Sequence, residues 1–309
     1  MLNGINKLTS RVSQRFDRIS EKKFPYVLTA PIVVLFLIGG VLPIIYSFVI
    51  SFFDYKLNVS SGMHFIGLEN YIAMFQDEVF LSSLWKTLYY SVGVVVLTTI
   101  IGLGVALLVR RDFFGKPLFM IFMLIPWCIP KAVNGLMWKW ILDPSSGIFT
   151  IILRQLGIIS QDVYWFNISP VVSISFVILA DVWKNIPFVA ILMLSALQMV
   201  PKTLHEAAIC DGAGAIKRFF YITLPSIRYV LIVVVMLQSI WALKVFDLLY
   251  TLTPLGGTDN MTTLTYMYVY KTAFNFLNMG YASAIAYFVM LITLVLSVFY
   301  ARMLRKASQ

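Results

Sequence analysis

Polar and aromatic side chains interrupt two long apolar segments of the sequence at similar depths. Aromatic rings can pack against the C–H faces of a sugar, and carboxylate and amide groups can hydrogen-bond its hydroxyls. These residue types therefore predict a binding site for a polar solute between the two segments. The residues concerned are Asp181, Trp183, Lys184, Asn185 and Phe188 in the first segment, and Gln238, Trp241 and Lys244 in the second.

Internal charge pairing is the alternative explanation for the ionisable members of this set. Asp181 and Lys184 are three positions apart, as are Lys244 and Asp247, and residues at this spacing meet on one face of a helix. A charge at the centre of a membrane-spanning helix costs about 2.5–3.5 kcal/mol on insertion scales, so each such residue requires a partner. Lys131, near the middle of another apolar segment, receives no specific role from the sequence.

The composition identifies a membrane protein with several spans. Of 309 residues, 60% are hydrophobic and 12% charged, and the mean hydropathy is +0.86. A soluble core cannot accommodate so much apolar surface. The net charge of +10 comes from basic residues in short segments beside apolar runs, so it predicts membrane orientation and no nucleic-acid partner.

Six segments meet the length of about 20 apolar residues that a spanning helix needs. We therefore predict an all-α polytopic bundle that forms one domain. The six segments are Tyr26–Phe53, Leu84–Val109, Leu118–Ile141, Pro170–Met199, Tyr229–Leu252 and Tyr281–Leu304.

The distribution of lysine and arginine predicts that both termini are cytoplasmic. Basic residues cluster before the first span, at 110–117, at 201–228 and after the last span, whereas the other three connections are acidic or nearly neutral. We expect a basic cytoplasmic segment at 1–25, a membrane domain at 26–304 and a cytoplasmic tail at 305–309.

Prolines and glycines within the spans predict that these helices pack inside a bundle. Backbone groups freed by a proline must be satisfied by neighbouring helices or by a water-lined cavity, and glycines allow helices to approach closely. The prolines are Pro43, Pro126, Pro130 and Pro187, and the glycines of the second span are Gly93, Gly102 and Gly104.

The polar segment 201–228 predicts a helix, a turn and a second helix. Thr203 and Glu206 have the spacing of a capping box, and Asp211 and Gly212 favour a sharp turn. Pro225 is expected to end the second helix. A hairpin lying on lipid headgroups would have a similar composition.

The sequence of this segment, EAAICDGAGAIKRFFYITLP, resembles the EAA loop of permease subunits of binding-protein-dependent ABC importers. In that family the loop forms a coupling helix that docks into a cleft of the ATPase subunit. The resemblance implies that Glu206, Ala207, Ala208, Asp211 and Gly212 make this contact. It also implies the type I ABC importer permease fold.

Further motifs extend the resemblance to nearly the whole chain after residue 25. The run WKNIPF at 183–188, the run WKW at 138–140 and Gly256-Gly257 are similar to carbohydrate-importer permeases of the type of the larger maltose-transporter subunit. The resemblance implies that the polar positions of the fourth and fifth spans contact substrate. It implies location in a bacterial or archaeal cytoplasmic membrane, among lipids, with a second homologous permease, two cytoplasmic ATPases and an extracytoplasmic solute-binding protein.

Motifs for other chemistry were not found in the sequence. There is no GxxxxGK[ST] phosphate loop, so ATP is expected to bind to partner subunits and no cofactor to this chain. No HExxH, GxSxG or Cys/His ligand cluster is present, so neither a metal site nor a catalytic residue is predicted. A membrane-embedded transferase and a permease for another solute, such as an acidic sugar, a glycerol phosphate or an amino acid, remain the alternatives.

Overall fold

The computed structural model describes residues 24–59 and 62–307, and this part of the chain is predominantly helical. The predicted basic residues of the amino-terminal segment and the last two residues of the tail lie outside the described residues. The first half of the chain contains α1 (Phe24–Phe36), a π-helical turn (Leu37–Val41), α2 (Leu42–Ile50), β1 (Phe53–Asp54), β2 (His64–Phe65), α3 (Glu69–Met74), α4 (Glu78–Val109), α5 (Lys116–Cys128), α6 (Lys131–Ile141) and α7 (Ile148–Gln155).

The second half is also helical, with several short turns between its longer elements. It contains α8 (Pro170–Gln198), α9 (Lys202–Cys210), α10 (Ala215–Arg218), a π turn (Phe219–Thr223), α11 (Leu224–Ser226), α12 (Arg228–Leu243), α13 (Asp247–Leu252), 3-10 turns (Pro254–Gly256 and Thr258–Asn260), α14 (Thr265–Tyr270), a π turn (Lys271–Asn275) and α15 (Met279–Ala307). Strands β1 and β2 pair antiparallel, with Phe53 opposite Phe65.

Within residues 24–59 and 62–307, four helices are long and apolar enough to cross a membrane: Leu28–Ile50, α4, α8 and α15. Two bent helix pairs bring the number to six if each pair is one span. The helical membrane bundle is thus confirmed, while the count of six and the cytoplasmic termini stay predictions.

The third predicted span is a broken helix, not a continuous one. Helices α5 and α6 meet at an angle of 95°, with Ile129 in an extended conformation between them. Pro130 lacks the N–H that would continue the helix, and it disfavours helical geometry at the preceding residue. By contrast, α8 continues through Pro187, so that proline does not interrupt its span.

The fifth predicted span, Tyr229–Leu252, is interrupted as well. Helix α12 ends at Leu243, and α13 begins at Asp247. Between them Phe246 has φ −141° and ψ −59°, outside the helical region. At its amino-terminal end, α12 makes an angle of 70° with the helix that precedes it. The regular helix of this span is therefore limited to α12 itself, Arg228–Leu243.

Helices α4 and α8 form the centre of the bundle, and two glycines of α4 allow their close approach. A Cβ at Gly93 would lie 2.7 Å from Ile178 Cδ1, and a Cβ at Gly102 would lie 2.6 Å from Val189 Cγ1. The packing role predicted for these two glycines is confirmed. For Gly104 it is wrong, because no atom lies within 4 Å of a Cβ there.

The first span stands apart from this core. No residue of its most apolar stretch, within Leu28–Ile50, is buried in the described part of the chain. Its contacts with α15 include the Tyr287 hydroxyl, which donates to the Ile44 carbonyl, and the ring of Phe48, 5.0 Å from that of Tyr287. The π turn lies just before Pro43, the second residue of α2.

Three segments predicted to be cytoplasmic, the 110–117 connection, the 201–228 segment and the tail, lie together at one end of the described bundle. Arg228 donates a hydrogen bond of 3.1 Å to the Ala307 carbonyl, next to the tail. His205 lies near Arg110, at the end of α4, and near Arg218. At the other end, Asp77 accepts hydrogen bonds from Tyr268 and Tyr281, which joins two of the connections predicted to be external.

Candidate functional site

The two helix breaks meet around a cavity of about 560 Å³ inside the bundle. Its lining comes from the α5–α6 break, from the middle of α8 and from the α12–α13 break. The lining residues are Trp127, Cys128, Ile129, Pro130, Lys131, Lys184, Asn185, Trp241, Lys244, Val245, Phe246 and Asp247. Broken helices expose backbone groups, and inside a membrane such groups are tolerated where they line a cavity or are covered by protein.

Three lysines from the three elements line this cavity. Lys184 is 7% exposed, and its Nζ donates a hydrogen bond of 3.1 Å to the Trp127 carbonyl. The Lys131 Nζ lies 4.0 Å from Asp181 Oδ1. Lys244 lies at the end of α12 and is exposed.

Aromatic rings form one wall of the cavity. The rings of Trp127 and Phe188 are stacked with centroids 5.7 Å apart, and Phe188 lies 5.1 Å from Trp241. This row of rings connects α5, α8 and α12. It gives the cavity an apolar face beside the ammonium groups, the combination that binds the C–H face and the polar groups of a sugar.

Asp181 lies behind the cavity and is 2% exposed. Its carboxylate accepts hydrogen bonds from the Tyr90 hydroxyl at 2.7 Å and from Asn185 Nδ2 at 3.0 Å, besides the ion pair with Lys131. A buried carboxylate with this many partners is satisfied by the protein. Its function in this structure is to hold α4, α6 and α8 together.

A second candidate surface is the coupling loop, which we define as residues 201–228. Helix α9 ends in a turn in which the Ala213 N–H donates to the Ala208 carbonyl at 2.8 Å and the Gly212 N–H donates to Ile209 at 3.0 Å. Gly212 has φ +74°, a left-handed conformation that glycine adopts without steric cost. The predicted turn at Asp211 and Gly212 is therefore confirmed.

The predicted capping box at Thr203 is wrong. Helix α9 begins at Lys202, after Pro201 in the N-cap position, and no side chain caps it. Thr203 thus lies within the first turn, where its hydroxyl cannot occupy the capping position. The second helix runs past Pro225 and breaks at Ile227.

The outer surface of the coupling loop is open to a partner. Glu206, Ala207, Asp211 and Gly212 are exposed, and Ala208 is half-buried. An apolar groove of about 230 Å³ between α9 and the following helix is lined by Ala208, Ala213, Lys217, Arg218, Tyr221 and Ile222. On the inner side, burial lowers the pKa of His205, and the nearby charges of Arg110 and Arg218 lower it further.

Comparison with known proteins gives the family. Residues 98–309 match the family model described as "Binding-protein-dependent transport system inner membrane component". The chain belongs to this family. It is a permease, a membrane component of a transport system and not an enzyme, which excludes the transferase alternative.

Two relatives match this permease over almost their full length. It is 34% identical over 291 residues to the sulfoquinovosyl glycerol transport system permease protein SmoG of Agrobacterium fabrum, covering 94% of this chain and 93% of the relative. It is 35% identical over 293 residues to the trehalose/maltose transport system permease protein MalF of Thermococcus litoralis, covering 94% and 95%.

A solved structure shares the fold. The permease matches a chain of a bacterial alginate ABC transporter, solved in complex with an alginate pentasaccharide-bound periplasmic protein, with a TM-score of 0.78 at 21% identity. The match covers 94% of the permease and 96% of that chain. The predicted type I importer permease fold is confirmed.

The permease brings only some of the predicted contact residues to the cavity. Lys184, Asn185, Trp241 and Lys244 line it, and Phe188 lies in its aromatic wall. Three residues lie elsewhere: Asp181 and Gln238 are 2% and 1% exposed, and Trp183 packs edge-on against Trp138.

The alternative of internal pairing within each helix stays a prediction, because the charges of Asp181 and Lys184 attract each other without forming a direct ion pair. Among the described residues, no ion pair joins Lys184 to Asp181 or Lys244 to Asp247. Asp181 pairs with Lys131, 50 positions away in sequence. Lys184 instead donates its hydrogen bond to a neutral group, the Trp127 carbonyl.

Sequence reasoning missed three lining residues with evident chemistry, Trp127, Lys131 and Asp247. For Lys131 the sequence contained a usable signal. An ionisable residue next to a proline within an apolar segment indicates a break in the helix that opens onto a cavity. Lys131 directly follows Pro130. The position of Trp127 opposite Phe188 depends on the bend between α5 and α6, which local sequence does not specify.

Proposed function

We propose that this permease is one of two related membrane subunits of an ABC importer that carries a sugar, in particular an oligosaccharide, into the cytoplasm. The cavity at the two helix breaks carries the proposal, because it places aromatic rings beside polar side chains within an apolar bundle. The names of the curated relatives support a sugar, since they refer to sulfoquinovosyl glycerol and to trehalose and maltose.

In this proposal a solute-binding protein delivers the sugar at the outer end of the bundle. The structural relative was solved in complex with such a periplasmic protein, and the family is defined by dependence on a binding protein. Lys184, Asn185, Phe188, Trp241 and Lys244 contact the sugar during its passage. Asp181, Gln238 and Trp183 support the walls of the cavity without touching the sugar.

Two cytoplasmic ATPase subunits bind ATP and drive the transport cycle through the coupling loop. Glu206, Ala207, Ala208, Asp211 and Gly212 contact the ATPase, with Glu206 forming an ion pair with a basic residue. The exposure of this surface supports the assignment. Closure of the ATPases moves α8 and α12, which flank the loop and also line the cavity, so the two sites are mechanically connected. ATP hydrolysis can drive this movement only if the contacts between the coupling loop and the ATPases differ between the outward-open and inward-open states.

The test is reconstitution of the complete importer, with both permeases, both ATPases and the binding protein, in proteoliposomes. Binding protein loaded with maltotriose or an acidic oligosaccharide should stimulate ATP hydrolysis and uptake of the labelled sugar. Stimulation by amino acids or inorganic anions alone would disprove the proposal.

The coupling assignment has its own test. Glu206→Lys should reduce co-purification of the ATPase subunits with the permease. The matched control is Asp112→Lys, the same charge reversal at an exposed residue of the 110–117 connection. Equal ATPase recovery with both variants would rule out Glu206 as a contact.

A further inference from the structure

We infer that the cavity at the helix breaks recognises the anionic group of an acidic sugar, a carboxylate, sulfonate or phosphate ester. This inference rests on the proposed function and specifies its substrate class. The first observation is the excess of positively charged side chains around the cavity. Lys131, Lys184 and Lys244 line the cavity together with one acidic residue, Asp247, and the buried Asp181 carboxylate lies 4.0 Å from Lys131.

Asp181 offsets only part of this positive charge, because its one carboxylate acts on both Lys131 and Lys184. Its carboxylate accepts hydrogen bonds from Tyr90 and Asn185 and pairs with Lys131. The three lining lysines therefore share the buried carboxylate of Asp181 and the lining carboxylate of Asp247. Three ammonium groups face two carboxylates in total, and the excess is positive.

Lys184 is the strongest indication that the cavity binds an anion. Its side chain is buried, and the Trp127 carbonyl is its one hydrogen-bond acceptor in the described part of the chain. An ammonium group has three donors, and a buried cation is stable when a counter-charge and further acceptors satisfy it. A substrate anion in the cavity would provide both.

The backbone at the α5–α6 break adds donors to the same place. The first hydrogen bond of α6 runs from the Asn134 N–H to the Pro130 carbonyl at 3.0 Å, and no side chain caps the helix. The N–H groups of Lys131, Ala132 and Val133 thus have no partner within the helix. This positive helix end lies at the lysine cluster, and helix ends in broken membrane helices stabilise anionic substrate groups in this way.

The experiment uses the reconstituted importer and chemically matched probes. A uronic acid trisaccharide is compared with its carboxyl-reduced form, which has the same skeleton without the charge, and with maltotriose. A sulfonated hexose and a hexose phosphate distinguish between the three anionic groups. We expect at least one acidic probe to be transported with a KM at least tenfold below that of the neutral probes.

Variants of the permease then assign the effect to the cavity, since the binding protein is the same throughout. Lys184→Gln should raise the KM for the acidic probe at least tenfold, whereas Lys184→Arg should keep it within about threefold. Lys139→Gln, at an exposed residue of α6 outside the cavity, is the matched control and should change nothing. If Lys184→Gln does not fold, Lys244→Gln, at an exposed position, gives the same comparison.

The outcomes separate this inference from the proposed function. Transport of maltotriose with no preference for acidic probes, or an unchanged KM in both lysine variants, overturns the inference and leaves a sugar permease. Failure of every sugar to stimulate ATP hydrolysis, while another solute does so, overturns both.

Discussion

Individual side chains divide into those that face the cavity and those that support it, although both kinds are polar or aromatic. Asp181 illustrates the difference, because its partners Tyr90 and Lys131 come from other helices. The sequence predicted a polar site at the right level of the bundle. It could not predict which residues are exposed there, since a carboxylate satisfied by distant partners and one that waits for a ligand have the same local sequence.

Trp183 and Trp241 offer a matched test of this division. Each is 37% exposed, but only Trp241 lines the cavity in the described part of the chain. Trp241→Ala should lower sugar uptake by about tenfold, which corresponds to about 1.4 kcal/mol of lost interaction. Trp183→Ala should leave uptake near the level of the unmodified permease. A loss of the same size in both variants would show that the cavity does not define the contact set. The measurement is initial uptake rate in proteoliposomes.

Gly212 allows a test of the proposed coupling contact through its backbone conformation. A side chain at its φ of +74° costs about 1–2 kcal/mol, so Gly212→Ala should distort the turn. We expect lower substrate-stimulated ATP hydrolysis and weaker retention of the ATPase subunits.

The control for this turn is Gly214→Ala, two residues away. Gly214 has φ −66° and open space around the added Cβ. Normal ATP hydrolysis in Gly212→Ala would mean that the shape of the turn is not needed for coupling.

At the level of helices, sequence predicted the long spans well. Helices α4, α8 and α15 extend over the predicted segments because a helix that crosses lipid needs about 20 apolar residues in a row. Sequence did not predict the breaks. Pro130 ends a helix and Pro187 does not, since the outcome depends on whether neighbouring helices satisfy the freed carbonyl groups. The cavity lies at the breaks, so it was the least predictable part of the fold.

The close contact between α4 and α8 can be tested with two glycines of one helix. Gly102→Ala places a methyl group 2.6 Å from Val189 Cγ1, and overpacking of this kind costs about 1–3 kcal/mol. The free energy of unfolding, measured by denaturant titration in mixed micelles, should fall accordingly.

Gly104→Ala provides the comparison, since nothing lies within 4 Å of its added Cβ. Alanine favours helix over glycine by up to about 1 kcal/mol, so this variant should be neutral or more stable. If Gly102→Ala were equally stable, the close approach of α4 and α8 would not be required for the fold.

At the scale of the whole molecule, the described basic segments, namely the 110–117 connection, the coupling loop and the tail, lie at one end of the bundle. This arrangement agrees with the distribution of lysine and arginine along the sequence. The orientation relative to the membrane follows from the positive-inside rule, and it stays a prediction until accessibility is measured. The division of the chain into a segment 1–25, a membrane domain 26–304 and a tail 305–309 also stays a prediction.

Cysteine labelling can determine the orientation. In a background with Cys128 and Cys210 replaced by alanine, Ser160→Cys places a thiol in an exposed part of a predicted external connection. Phe114→Cys places one at a fully exposed position of the predicted cytoplasmic connection. In right-side-out vesicles a membrane-impermeant maleimide should label the first directly and the second only after permeabilisation. The reverse pattern would invert the proposed topology.

The two native cysteines, Cys128 and Cys210, are both exposed free thiols in this structure. Cys128 lies in the wall of the cavity, and Cys210 is the last residue of α9 in the coupling loop. Nitroxide spin labels attached to these two cysteines of the unaltered sequence would therefore lie at the cavity and at the coupling loop. Pulsed electron–electron double resonance would measure the distance between the two labels in each nucleotide state, and so the movement of the cavity relative to the coupling loop, without an engineered residue.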